Sequence, residues 1–342
     1  MHTQYSFVAR LIAAAALVAA SLGVYAADEP VIVDTGFVEQ AAARGALIWD
    51  VRSQEEYRRG HIPGAVNIDE IALVLRESNT EDYIPLAKIE QILGEAGIDP
   101  TREIVLYGAK AHTSPYFGYV TVRYLGGGSA RVYHGGIDDW KSAGKPIATD
   151  PVKLPPVSFR AQMNPGVIVS TREVVAKLGA PGVQIVDART EKEFNGEDIR
   201  ALRGGRIPGA VNIPYETNWV DPDTPRKLQR RQVAGKDGMS LKPAIDLRAL
   251  YARFDPEKET IVYCQSGVRA AETATVLQSL GFRNVKVYDS SWLGYGNTFD
   301  APAENVAYFN VGRVNGTLMQ MQQRIDLLEG QVEELKAAKE KK

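Results

Sequence analysis

Apolar positions along the chain fall in short blocks of four or five rather than in one sustained rhythm. "LIWD" (Leu47 to Asp50), "IVLY" (Ile104 to Tyr107), "QIVD" (Gln184 to Asp187) and "TIVY" (Thr260 to Tyr263) are rich in β-branched and aromatic residues and bounded by polar or turn residues. Runs this short predict buried strands. Between them lie stretches of helical composition, such as Arg269 to Leu280, which Gly281 should stop. Short strands alternating with helices predict an α/β protein built on parallel sheets with helices on both faces.

The blocks repeat. "LIWDVRSQEEYRRGHIPGAVNI" (Leu47 to Ile68) returns as "QIVDARTEKEF…GGRIPGAVNIP" (Gln184 to Pro214), "EIVLYG" answers "TIVYC", and "ARVYHGGIDDW" answers "VKVYDSSWLGY". Asp50 to Pro63 spans 13 positions and Asp187 to Pro208 spans 21, so the second copy carries eight extra residues. Two homologous α/β units explain this. They are expected over 31–147 and 167–302. The stretch between, 148–166, is proline-rich without helical period and reads as an extended linker.

Both ends differ from the units. Arg10 precedes an apolar stretch from Leu11 to Gly23, and Val24 and Ala26 occupy the small-residue positions of a signal-peptidase site, so residues 1–26 are expected to be removed between Ala26 and Ala27. Thirteen apolar residues are short for a membrane span of roughly 20. A periplasmic or secreted protein is expected, without membrane attachment after cleavage. At the other end, residues 308–342 carry apolar side chains at alternating spacings of three and four. Val311, Leu318, Ile325 and Val332 take heptad position a, and Val314, Met321, Leu328 and Leu335 take d. That mix leans to a parallel two-stranded coil, hence a homodimer; the alternative is a helix folded back on its own unit.

Composition narrows the function classes. Forty basic and 42 acidic residues give a net charge of −2, which leaves no electrostatic footprint for nucleic acid. Nothing in the sequence asks for a metal or cofactor. The chain has one cysteine, Cys264, so an internal disulfide is impossible. Taken alone, a lone cysteine is most often a small core hydrophobe. Its place argues otherwise. It stands at a strand-to-helix turn, where the amides of Gln265, Ser266, Gly267, Val268 and Arg269 can point inward and the helix N-terminus adds positive potential. That setting favours a thiolate.

The Asp-x-Arg block, the "HIPGAVNI" block and the strand-Cys-loop-helix, in this order, closely resemble the tandem-domain rhodanese sulfurtransferases over roughly Val31 to Phe299. The resemblance implies a rhodanese-like fold in each half, with catalysis in the second; the first copy has Gly108 where the second has Cys264. Cysteine phosphatases on this fold place five residues between Cys and Arg. Here only four intervene and position 270 is Ala, so the loop suits a persulfide better than a phosphate.

The chemistry implied is a double displacement, in which Cys264 takes the outer sulfur of a donor such as thiosulfate and yields it to cyanide or a thiol. Arg269 is expected to hold the sulfonate end, Gln265, Ser266, Gly267 and Val268 to cradle the sulfur, and Arg189 either to contact substrate or to form a structural pair with Asp187. Asp50 and His61 match positions proposed in mercaptopyruvate sulfurtransferases to form a relay with the loop serine, although a turn role for His61 fits as well, Arg206 taking its place in the second copy. Trp292 and Tyr295 should wall the cleft or belong to the core. Mercaptopyruvate enzymes carry an arginine four positions after the Asp-x-Arg arginine; Glu193 stands there and would repel that substrate's carboxylate unless Arg200, Arg203 or Arg206 substituted. Thiosulfate is therefore the expected donor, and a sulfur carrier without turnover is the competing reading.

Overall fold

The computed structural model describes residues 30–340; the expected signal peptide lies outside them. The first copy folds into a five-stranded sheet of β1 (Ile32–Val33), β2 (Leu47–Asp50), β3 (Val66–Asn67), β4 (Ile104–Tyr107) and β5 (Ala130–Tyr133), in the order β1-β5-β4-β2-β3. The second copy repeats it with β6 (Ile168–Val169), β7 (Val183–Asp187), β9 (Val211–Asn212), β10 (Glu259–Tyr263) and β11 (Val285–Tyr288), in the order β6-β11-β10-β7-β9. Every pairing in both sheets is parallel. The central strands are buried on both faces, which is why they read as continuous apolar runs rather than alternating ones.

The Asp-x-Arg motif builds the same buried corner twice. Arg52 donates from its backbone amide and guanidinium to Asp50 and from Nη2 to the carbonyl of Gly60; Arg189 does the same to Asp187 and the carbonyl of Gly205. Asn67 and Asn212 each donate to the carbonyls of both residues in their own pair. Such a corner ties the strand end to the turn before Ile-Pro-Gly. A buried charge pair persists only when its remaining donors and acceptors are also met, and here they are met in duplicate.

The eight-residue insertion has a structural purpose. It supplies β8 (Arg203–Arg206), which pairs antiparallel with β12 (Glu304–Tyr308) outside the main sheet. That ribbon anchors the root of the tail, a helix from Val311–Glu340. Asn310 caps the helix by accepting from Arg313 N–H. Between the units, residues 149–164 form neither helix nor strand and lie along the first unit, Val157 N–H donating to Gly94 O and Asn164 N–H to Tyr124 O.

The two units share an apolar core. Helix Ser114–Tyr124 and helix Val268–Ser279, each following the turn after the middle strand of its sheet, pack against one another, and Tyr119 donates across to Gln278. One buried cluster runs from Trp49 and Val122 through Ala270 and Leu277 to Cys264. The turn after β10 is thus held from both halves of the chain.

Candidate active site

Cys264 follows the last residue of β10 and is 1% exposed. The next three residues form a turn, and helix Val268–Ser279 begins with Gly267 as its N-cap at φ 83°. A side chain at 267 would lie 2.8 Å from both the carbonyl and a carboxylate oxygen of Asp289, so the left-handed turn and the close approach together require glycine.

The loop is fixed through its carbonyls. Cys264 O accepts from Trp292 N–H at 3.0 Å, Gln265 O from Leu293 N–H at 2.8 Å, and Ser266 O from the guanidinium of Arg76 in the first unit. Two amides are also taken: Ser291 Oγ accepts from Cys264 N–H and Gly267 N–H, each at 3.0 Å, while donating to Tyr288 O. The sequence reading had all five amides from 265 to 269 turned to a ligand; Gly267 is spent on Ser291. Among the described residues no protein acceptor meets the amides of Gln265, Ser266, Val268 or Arg269. Four free donors at a helix start favour a bound anion.

Arg269 is not free. Its Nη1 and Nη2 each lie 2.8 Å from a carboxylate oxygen of Glu193, and Glu193 is also held by Thr190 in a capping box. Burial alone would raise the Glu193 pKa, but the Arg269 bonds overcome it and bring it down to about 2. Burial likewise opposes the Arg269 charge, but the Glu193 carboxylate and negative charge at Cys264 raise its pKa well above the ordinary value. Arg200 stands 3.4 Å from the same carboxylate, and its carbonyl accepts from Gln265 Nε2, so the insertion also touches the loop. Arg203 and Arg206 cannot substitute for a substrate-binding arginine, since Arg203 donates to the carbonyls of Thr298 and Ala301 and Arg206 pairs with Glu304.

Five expected residues are not presented to a ligand. Arg189 is 1% exposed, donates to Asp187 and Gly205 O, and lies 4.6 Å from the Trp292 ring centroid; it is the structural half of its motif. Trp292 and Tyr295 are core residues, and Trp292 Nε1 donates to Arg203 O; Trp292 reaches the loop only through its backbone. Asp50 and His61 form no relay with Ser266. The Asp50 carboxylate is taken up by Arg52 and Tyr107, and His61 is buried in the first unit, stacked on Tyr57 with Nδ1 2.9 Å from Tyr57 O.

Two residues that hold the loop are absent from the sequence reading. Arg76 gave no pattern, because its partner is 190 positions away. Ser291 left a faint sign: "HGGI" in the first copy becomes "DSSW" in the second, and Gly136 and Ser291 are equivalent. Both have positive φ, 53° and 49°. For serine that conformation costs energy, and such strain is held where the surroundings over-determine it. In the first unit a side chain at 136 would meet Gly108 O at 2.2 Å, so that copy has closed over the space the Ser291 hydroxyl uses.

A rhodanese-like domain model matches the chain twice, at residues 34–143 and 170–298. A Corynebacterium glutamicum protein named thiosulfate sulfurtransferase is 34% identical over 271 residues, covering 74% of this chain and 84% of its own length. A Mycolicibacterium smegmatis protein, provisionally named for the same activity, is 30% identical over 292 residues, 81% of this chain and 99% of its own. Among solved structures, an anaerobic ergothioneine biosynthesis enzyme from Chlorobium limicola, in complex with its substrate trimethyl histidine, superposes with a TM-score of 0.69 at 22% identity, over 80% of this chain and 70% of that one. That likeness shows the fold alone.

Two expectations follow. Ser291→Ala removes the acceptor of two buried amides, so it should lower stability by roughly 1–3 kcal/mol and reduce turnover more than substrate affinity; urea denaturation and steady-state kinetics measure both, and kinetics equal to wild type would contradict the role given to the hydroxyl. The second concerns Asp289, buried beside Gly267, whose pKa is pushed up to about 7 by burial against the partial relief of Arg76, with Asp82 and Glu81 adding to the rise. A carboxyl that keeps its proton in the native state above its unfolded pKa loses stability as pH rises between the two values, here from about 4 to about 7. Asp289→Asn should therefore gain on wild type as pH rises through that window, by at most about 4 kcal/mol, in denaturation series at pH 4.5 and pH 8.

Proposed function

The chain belongs to the rhodanese-like domain family, and on that premise we propose that it is a thiosulfate sulfurtransferase working through a persulfide on Cys264. The observation that carries the proposal is the single thiol at a loop whose carbonyls are tied back and whose four remaining amides await an anion.

The Cys264 thiolate attacks the outer sulfur of thiosulfate, the sulfur–sulfur bond of the donor breaks, and its electron pair leaves with sulfite. The new persulfide anion rests against the amides of Gln265, Ser266, Val268 and Arg269, which stabilise charge without reorganising. A thiophilic acceptor then attacks the terminal sulfur and the Cys264–sulfur bond returns its electrons to the thiolate; with cyanide the product is thiocyanate. Arg269 has two of its five N–H groups on Glu193, which leaves the others for the sulfonate and fixes the plane of the fork.

The preference for thiosulfate over mercaptopyruvate rests on which arginines are free to meet a carboxylate. Glu193 does not act as a bare repelling charge, because Arg269 neutralises it. What counts against a carboxylate substrate is that Arg203 and Arg206 are committed elsewhere, leaving Arg200 alone at the rim. The apolar stretch from Leu11 to Gly23 and the Val24-Tyr25-Ala26 sequence support export through a cleaved signal.

A donor panel tests the reading by following thiocyanate, sulfite and pyruvate release. Thiosulfate should support turnover, Cys264→Ser should abolish it with the fold intact, and Arg269→Ala should lower kcat/KM for thiosulfate roughly 30- to 1,000-fold, the cost of one charge-stabilising donor at a reacting centre. A wide preference for mercaptopyruvate would overturn the donor assignment, and accumulation of bound sulfur without product would favour a carrier.

A further inference from the structure

The tail is the helix Val311–Glu340. Every side chain described along it is exposed, and the a and d positions run from 37% exposed at Val314 to 71% at Leu335. Among the described residues its hydrogen bonds stay within the helix or reach back only to Asn310. The helix does not fold back on its own unit in this structure. A 30-residue helix of this composition is not held by propensity alone: it contains Gly312, Gly316 and Gly330, each costing helix stability, and its apolar seam lies in water.

We propose that the seam is covered by the same helix of a second copy, in parallel and in register. Two features of this chain select that occupant. The a/d assignment continues unbroken for four heptads, with β-branched residues at three of four a positions and leucine at the last two d positions, the pattern of two strands. Charge then selects the orientation. Arg324 falls at g and Glu329 at the following e, and in a parallel, in-register coil the g residue of one helix faces the next e residue of its partner. The match forms twice in the dimer, once on each side of Ile325 and Leu328. An antiparallel pair sets g against g and e against e, and loses it.

The β8–β12 ribbon fixes the helix root on the catalytic unit, with Phe309 N–H donating to Leu202 O in the insertion. Leu202, Tyr308 and Phe309 are exposed there and extend the apolar seam onto the unit's surface. Parallel pairing therefore brings two catalytic units to one end of a common stalk.

The test uses residues 27–342 and does not depend on Cys264 chemistry. Light scattering at micromolar concentration should give twice the chain mass, and Ile325→Asp should halve it while leaving the near-ultraviolet circular dichroism of the two units unchanged. Glu329→Arg should weaken the dimer, and Arg324→Glu combined with Glu329→Arg should restore it, an outcome that loss of helix could not mimic. For orientation, Val314→Cys in a Cys264→Ser background should cross-link on oxidation, since in-register d positions lie within disulfide reach whereas an antiparallel coil separates them by roughly 30 Å. A monomeric protein, a dimer that survives Ile325→Asp, a three-chain mass, or a dimer that fails to cross-link would each overturn the proposal.

Discussion

A thiol can serve as a sulfur acceptor only if the loop around it keeps its amides pointed at the incoming charge, and that orientation is imposed from behind. Three successive carbonyls, of Cys264, Gln265 and Ser266, are held by Trp292, Leu293 and Arg76. Ser291 takes the two amides that would otherwise compete. With these groups occupied, the amides that remain are those the proposed persulfide would use. The strained serine at φ 49° and the left-handed Gly267 are the conformational cost of this arrangement, concentrated in one turn.

The two copies show what duplication made of this turn. Both keep the buried Asp-x-Arg corner, the asparagine beneath it and the carbonyl bond from the following helix: Ile137 N–H to Gly108 O in one, Trp292 N–H to Cys264 O in the other. The first lacks the thiol, the serine hydroxyl and an arginine on the carboxylate that answers Glu193; among the described residues the Glu56 carboxylate accepts from Ser53 at its own helix start. The first copy instead supports the loop of the second. Arg76 buttresses Ser266 O, and Asp82 accepts from Ser290 at 2.6 Å.

How much of this the sequence disclosed depended on range. Strands, sheet type, the repeat, the helix stop at Gly281 and the cysteine turn are local patterns, and period and turn chemistry reveal them. Glu193 could be seen but not understood, because its meaning depends on Arg269, 76 positions away. Arg189 and Trp292 could be read either as facing substrate or as structural, and His61 either as a relay or as a turn residue, because sequence shows chemical type and not burial; the structure spends each on its own unit. Arg76 was invisible for the same reason at longer range. The eight-residue insertion was countable, yet its purpose as a strand partner for the tail root required β12 to be seen beside it.

The central claim is that Cys264 carries sulfur covalently between donor and acceptor, and intact-protein mass spectrometry tests it most directly. After incubation with thiosulfate and removal of excess donor, the protein should gain about 32 Da, one sulfur atom, at Cys264 and lose it stoichiometrically to thiocyanate on addition of cyanide. An active preparation that turns over thiosulfate without ever showing that mass would contradict the account.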